Sequence, residues 1–204
     1  MNKHVLIPIF LLFAIAGCRS GSEVTSQHYL LEIPQEYDFH WEGEPGPIVA
    51  SCEVLVPDVV PAYSSHRMAI REESHQIRYF GFNEWAIRPD QVFHQMAVDF
   101  LKENRVFEEL VYGRVVLPAD YVLETAIIHL EADNRQEMFR ARLHVEFRLR
   151  ESETDEILLT HREDRFETLD SRNLNDFAEA ISRMFTEELA AFTESITREV
   201  NRDQ

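Results

Sequence analysis

Cys18 and Cys52 are the only thiols of this chain, and nine histidines, 37 carboxylates and eighteen arginines supply its other groups with reactive or charged chemistry. None of the histidines stands in an HExxH run or another tight ligand pair with cysteine, so spacing gives no metal centre. His144 and His161 fall on adjoining extended segments where they can face each other, an arrangement that suits a solvated pair better than a metal site. The chain has no Gly-rich phosphate loop, no GxSxG elbow and no local Cys/His pattern of a nucleophile and its base. Carboxylates are so frequent that chance pairs are guaranteed, which gives none of them weight as an acid or base. These residues point away from an enzyme and imply no cofactor. Cys52, inside the apolar run Val49–Val56, reads as a small core residue rather than a nucleophile.

The arginines are more informative. From Phe139 to Arg150, apolar residues at 139, 141, 143, 145, 147 and 149 alternate with Arg140, Arg142, His144, Glu146, Arg148 and Arg150. This period of two makes a strand with one core face and one face toward water or a partner. Arg140, Arg142, Arg148 and Arg150 then have two readings. They pair across strands with acids such as Glu163 or Glu131, at under about 1 kcal/mol per pair. Alternatively they form a partner-binding surface through bidentate contacts. Trp85 is similarly divided, between packing against the helix that begins at Pro89 and acting as an exposed anchor for a partner.

The formal charge of −17 excludes two classes of partner. Nucleic acid needs a basic footprint, and charge alone does not hold an acidic body on anionic lipid. The first residues set the compartment instead. Lys3 precedes an apolar run from Val5 to Ala16, a signal-peptide pattern too short to span a bilayer, which takes about 20 residues. Ile15-Ala16-Gly17-Cys18 resembles the bacterial lipobox, in which the cysteine becomes the acylated first residue. Residues 1–17 are then a lipoprotein signal peptide, residues 18–28 the lipidated cysteine and a flexible tether, and residues 29–204 one domain. In lipoproteins of this kind an aspartate after the cysteine favours inner-membrane retention, so Arg19 points to the outer membrane, facing the periplasm. A lipidated Cys18 leaves Cys52 without a disulfide partner.

The elements that position these side chains are legible from pattern. Tyr29–Ile33 is the expected first strand, and Pro34, Pro45 and Pro47 with Gly43 and Gly46 mark an irregular loop containing Trp41. Strands are expected at 49–56, 67–71 and 76–80, the last two as a hairpin, then from Phe107, over 121–132, over 139–150 and at 156–166 after a turn at 152–155. Pro89 and Asp90 open a helix with Val92, Phe93, Met96, Ala97, Phe100 and Leu101 on one side. A long second helix from about Leu174 to Arg198 carries Leu174, Phe177, Ala178, Ile181, Phe185, Leu189, Phe192 and Ile196 on one face and acids on the other. Strands grouped between two helices predict an α+β fold, an antiparallel sheet with two amphipathic helices packed on one face.

Several stretches together resemble one family. The lipobox cysteine, Tyr29-Leu30-Leu31, Arg67-Met68-Ala69-Ile70-Arg71 and the run Ile77-Arg78-Tyr79-Phe80-Gly81-Phe82-Asn83-Glu84-Trp85-Ala86 before Pro89 are similar to the auxiliary lipoproteins of ABC-type transport systems. Ala119-Asp120-Tyr121-Val122-Leu123-Glu124 and the C-terminal helix add to the likeness, and the insert around Trp41 departs from it. The resemblance implies a non-catalytic subunit like the lipoprotein of the paraquat-inducible system. Its partners would be a mammalian-cell-entry-type periplasmic protein with its ABC permease and ATPase, and its role the movement of lipids or other hydrophobic compounds. The alternative is a carrier that holds an acyl chain between sheet and helices.

Overall fold

The computed structural model describes residues 25–37, 39, 47–113, 118–135 and 138–200. The expected signal peptide, Cys18, most of the expected tether and Trp41 lie outside the described residues. Nine strands and two helices follow in the order β1 (Gln27–Tyr29), β2 (Ile48–Val54), β3 (Asp58–Val59), β4 (Arg67–Glu73), β5 (Gln76–Trp85), α1 (Pro89–Glu103), β6 (Phe107–Val111), β7 (Tyr121–Asp133), β8 (Arg140–Glu151), β9 (Ile157–Thr168) and α2 (Leu174–Val200).

The fold is α+β with one mixed sheet, and its long pairings are antiparallel: β4 with β5, β7 with β8 and β8 with β9. These are chain neighbours joined by short turns, which is why their alternation was readable. The β8–β9 turn ends at Asp155, whose φ of 63° is a left-handed conformation that aspartate tolerates. The short pairings are parallel, which the hairpin pattern alone does not show. Strand β7 is flanked on its second edge by β2, β3 and β4 in succession, all running with it. Parallel neighbours need a crossover, and α1 lies in the connection that supplies it. The first strand also differs from expectation. It ends at Tyr29, paired with Trp85 of β5, and Leu31 then turns into the core at 5% exposure.

Both helices cover the same face of the sheet. α2 lies on β8 and β9, while α1 lies toward β2, β3 and β6. Pro89 occupies the first turn of α1 with Asp90 beside it, where a missing N–H costs nothing and a negative charge meets the positive helix end. Asn173 caps α2, its Oδ1 accepting the Asn175 amide at 2.9 Å. Aromatic rings fill the space between the layers: Phe93 meets Phe185 at 4.6 Å, and Phe147 of β8 stacks on Phe192 at 5.4 Å. Cys52 is fully buried in this core, and burial pushes its thiol pKa well up, as expected of a packing residue. Among the described residues, no helix is long and apolar enough to cross a membrane.

Candidate functional site: the arginine face of the sheet

The opposite face of the sheet carries the alternating polar residues of β8. Register places Arg142 between Glu131 of β7 and Phe166 of β9, and His144 between His129 and Asp164. The segment between β3 and β4 folds over this face and brings down Tyr63, which is 3% exposed.

Glu131 is at the centre and has no exposure. Its carboxylate accepts hydrogen bonds from the Tyr63 hydroxyl at 2.5 Å, from Arg71 at 2.6 and 2.9 Å and from Arg142 at 3.0 Å. Burial alone would raise its pKa, but the bonds from Arg71 and Tyr63 outweigh that and hold it below the usual carboxylate range. Arg142 also donates two bonds to Asp164, at 2.9 and 2.8 Å, in the bidentate geometry guanidinium favours. Asp133, equally buried, is gripped by Arg135 and Arg140. Despite burial, the bonds from Arg135 bring its pKa down to about 2.

Each of the four arginines singled out by alternation therefore has an acidic partner. Arg140 pairs with Asp133, Arg142 with Glu131 and Asp164, Arg148 with Glu146, and Arg150 with Glu124 and Asp155. The face as folded is a near-neutral lattice, not a basic stripe. Glu131 is among its acids as expected, but Glu163 is not: it lies opposite Val145, so it points to the helix side. The guanidinia of Arg140 and Arg142 also approach the ring of Phe166, at 4.8 and 5.0 Å. Arg148 is the most open of the four at 44% side-chain exposure, and Arg162 beside it reaches 56% while sharing Glu146.

Two expectations are corrected. Trp85 is not an exposed anchor: it is 2% exposed, and its ring partner is Phe177 of α2, at 5.7 Å. The side chain is large and apolar at a strand end facing the helices, so the core takes it. His144 and His161 do not face each other, because three residues separate them in register and their side chains leave opposite faces of the sheet. His161 instead bonds Glu188 of α2 at 2.7 Å. His144 lies against His129, ring centroids 5.6 Å apart, and burial holds both pKa values below the ordinary imidazole value. Tyr63, Arg71 and this histidine pair escaped the sequence reading. Tyr63 comes from an irregular segment with no periodicity, and the histidines meet only once the β7–β8 register is known. No group of three or more His, Cys, Asp or Glu side chains suited to a metal occurs among the described residues.

No family model matches the sequence, and no curated protein matches it. Solved structures do match its fold. A protein from Xanthomonas campestris, placed in the DUF330 family, superposes with a TM-score of 0.74 at 13% identity, covering 87% of this chain and 98% of that one. A second, uncharacterized protein superposes at 0.63 and 12% identity, over 84% and 99% of the two chains. A lipoprotein from Neisseria meningitidis aligns at only 0.38 and 11% identity, over 68% and 96%, a score too low to carry an argument. The first two establish that this chain has the fold of the DUF330 protein.

Proposed function

We propose that this chain is a non-catalytic periplasmic lipoprotein, anchored by acylated Cys18, that serves as an auxiliary component of an ABC-type, mammalian-cell-entry-like transport system for lipids or other hydrophobic compounds. It docks a transporter component at the outer membrane. The observation that carries this reading is the ordered set of motifs behind the lipobox. The tyrosine-bearing run from Ile77 to Ala86 and the helix opened by Pro89 form β5, a sharp turn and α1 in sequence, as the resemblance implies.

The packing favours an adaptor over a carrier. A carrier would hold its acyl chain between sheet and helices, where Phe93, Phe147, Phe185 and Phe192 are fully buried against one another and Phe177 against Trp85. On the arginine face, Arg148 is the residue best placed to meet a partner, because its guanidinium remains open while Arg142 is committed to Glu131 and Asp164.

The test is affinity purification of the acylated full chain from detergent-solubilised membranes after mild crosslinking. A mammalian-cell-entry-type protein or its permease should co-purify, and Arg148→Glu should reduce its recovery about tenfold, the effect of roughly 1.4 kcal/mol lost at an interface. Failure to recover any such component defeats the reading, and stoichiometric phospholipid in the purified chain would replace adaptor with carrier.

A further inference from the structure

The aromatic bulge beside the point where the anchor joins the body packs one ring, Phe80, against the core and leaves the other, Phe82, outside it. Strand β5 pairs with β4 at Tyr79 and again at Glu84, and the residues between them are pushed out of register. Phe80 in this bulge is half-buried, whereas Gly81 and Phe82 are exposed, Phe82 at 57%. Scattered exposed apolar residues are ordinary on a protein surface. The position of this one is not arbitrary. The Ser26 hydroxyl donates to the Phe82 carbonyl oxygen at 3.3 Å, so the first described residues of the body run directly alongside it. The same strand pair carries two more open apolar side chains. Just past the strand ends the Ala86 amide bonds the Tyr29 carbonyl at 2.8 Å, and the residues that follow, Leu30 and Ile87, are 55% and 42% exposed.

The length of chain ahead of this edge decides what can cover it. Ser26 is eight steps along the chain from Cys18, and a chain spans at most about 3.6 Å per residue, so the Ser26 backbone lies within about 29 Å of an acylated Cys18 whatever path the chain takes. The side where the chain enters is therefore kept within that distance of the bilayer, and that side presents Phe82. The body carries formal charge −17 with its leader and is repelled by anionic lipid, so an uncharged apolar contact is the kind that can seat it. The exposed Phe82 ring, with Gly81 beside it, is such a contact. Tethering makes even a weak insertion effective, because the local concentration of bilayer is already high.

We propose that the β5 bulge, led by Phe82, inserts into the lipid interface beside the anchor and fixes the orientation of the body on the membrane. The occupant is the bilayer itself, and the inference rests on the anchoring reading above. An anchored body that is seated in this way holds the arginine face at a set angle rather than tumbling on its tether.

The test uses the acylated chain in phosphatidylcholine vesicles, carrying Phe82→Cys labelled with an environment-sensitive nitrobenzoxadiazole. Cys52 has no exposure and does not compete for label. Asp155→Cys, at the 82%-exposed tip of the β8–β9 turn, is the control. At position 82 the emission should shift to the blue, and doxyl-lipid quenching should be at least about twofold stronger than at position 155, as for an interfacial side chain. Gly81→Trp, where an added Cβ meets nothing within 4 Å, should strengthen the quenching further. A parallel sample carries Cys18→Ser with a hexahistidine tag in place of residues 1–17, held on nickel-chelating lipid. Acyl mass on Cys18 with no shift at position 82 overturns the insertion and leaves the anchor. No acyl mass, with a shift in the tagged sample, removes the anchor reading and leaves the insertion. No shift in either sample overturns the insertion outright, and a shift that grows with protein concentration without vesicles assigns the bulge to a second copy of the chain instead.

Discussion

Glu131 holds the arginine face together through its bonds from Tyr63, Arg71 and Arg142, and Glu131→Gln tests this. The substitution preserves shape but replaces a buried anion with a neutral amide, one end of which is a donor pointed at other donors. Removing one partner of a buried ion pair costs about 3–5 kcal/mol, because the remaining charge is left uncompensated. The geometry places this case at the low end. Arg142 keeps both of its bonds to Asp164, and Arg71 keeps the Ser74 carbonyl and the Tyr63 hydroxyl. The two guanidinia also retain 13% and 16% exposure, so water relieves part of the loss. The expected cost is therefore about 3 kcal/mol, or about 1 M in the urea midpoint for a denaturant slope of roughly 2–3 kcal/mol/M. Equilibrium urea unfolding at pH 7, followed by tryptophan fluorescence, measures it. Glu124→Gln is the reference, since Glu124 is 34% exposed and its pair with Arg150 is worth under about 1 kcal/mol. Equal midpoints for the two variants would refute the argument. Replacing Glu131, Arg71 and Arg142 together by Leu, Met and Leu should recover part of the loss, because that removes the stranded charges as well as the bonds.

Three further outcomes follow from the same structure. Stability should fall continuously on acidification. His129 and His144 have folded pKa values below the ordinary value, so their contribution is present above pH 6.5 and declines as the unfolded state takes up protons below it. Asp133, at about 2 against an ordinary 3.8, adds roughly 2 kcal/mol above pH 4 that is lost as pH falls toward 2. A midpoint that rises between pH 7 and pH 5 would contradict these signs. Phe147→Ala removes the ring shared by Phe185 and Phe192 and should cost about 3–5 kcal/mol in the same urea assay, whereas a loss below about 1 kcal/mol would mean that the sheet and helices are not packed there as described. Cys52 should fail to react with a disulfide reagent at pH 8 in the native chain and react at once in urea, and prompt native reaction would show the core to be open.

What was legible in the sequence is what is local. Alternation in β8, the turn at 152–155 and the stripes of α1 and α2 each depend on residues a few positions apart, and each fell where the pattern put it. The parallel pairings of β2, β3 and β4 with β6 or β7 were invisible because they join segments on either side of α1, and neither β2 nor β3 carries any mark of its β7 partner. Trp85 shows the same limit from the other direction. Its type suits a binding anchor or a core, and only the path of α2, which brings Phe177 to it, decides for the core.

The arginine face carries this furthest. A strand that alternates arginine with apolar residues reports that one face is polar, and nothing in its own sequence says whether that face is basic. The sign is set by its neighbours. β7 contributes Glu124, Glu131 and Asp133, β9 contributes Asp164, and the segment before β4 adds Tyr63 to close over the centre. Together they turn four apparent free cations into a lattice, and of those four the most buried, Arg142, is also the most heavily bonded. Such an arginine cannot be lent to a partner without taking bonds from two carboxylates, so the residues suited to the proposed docking are those the lattice holds least. By exposure these are Arg148 and Arg162, which share the single carboxylate of Glu146. A partner carboxylate arriving there competes with one internal acid rather than two. That makes the Arg148 end of the face, not its centre, the place where docking and folding can be separated by mutation.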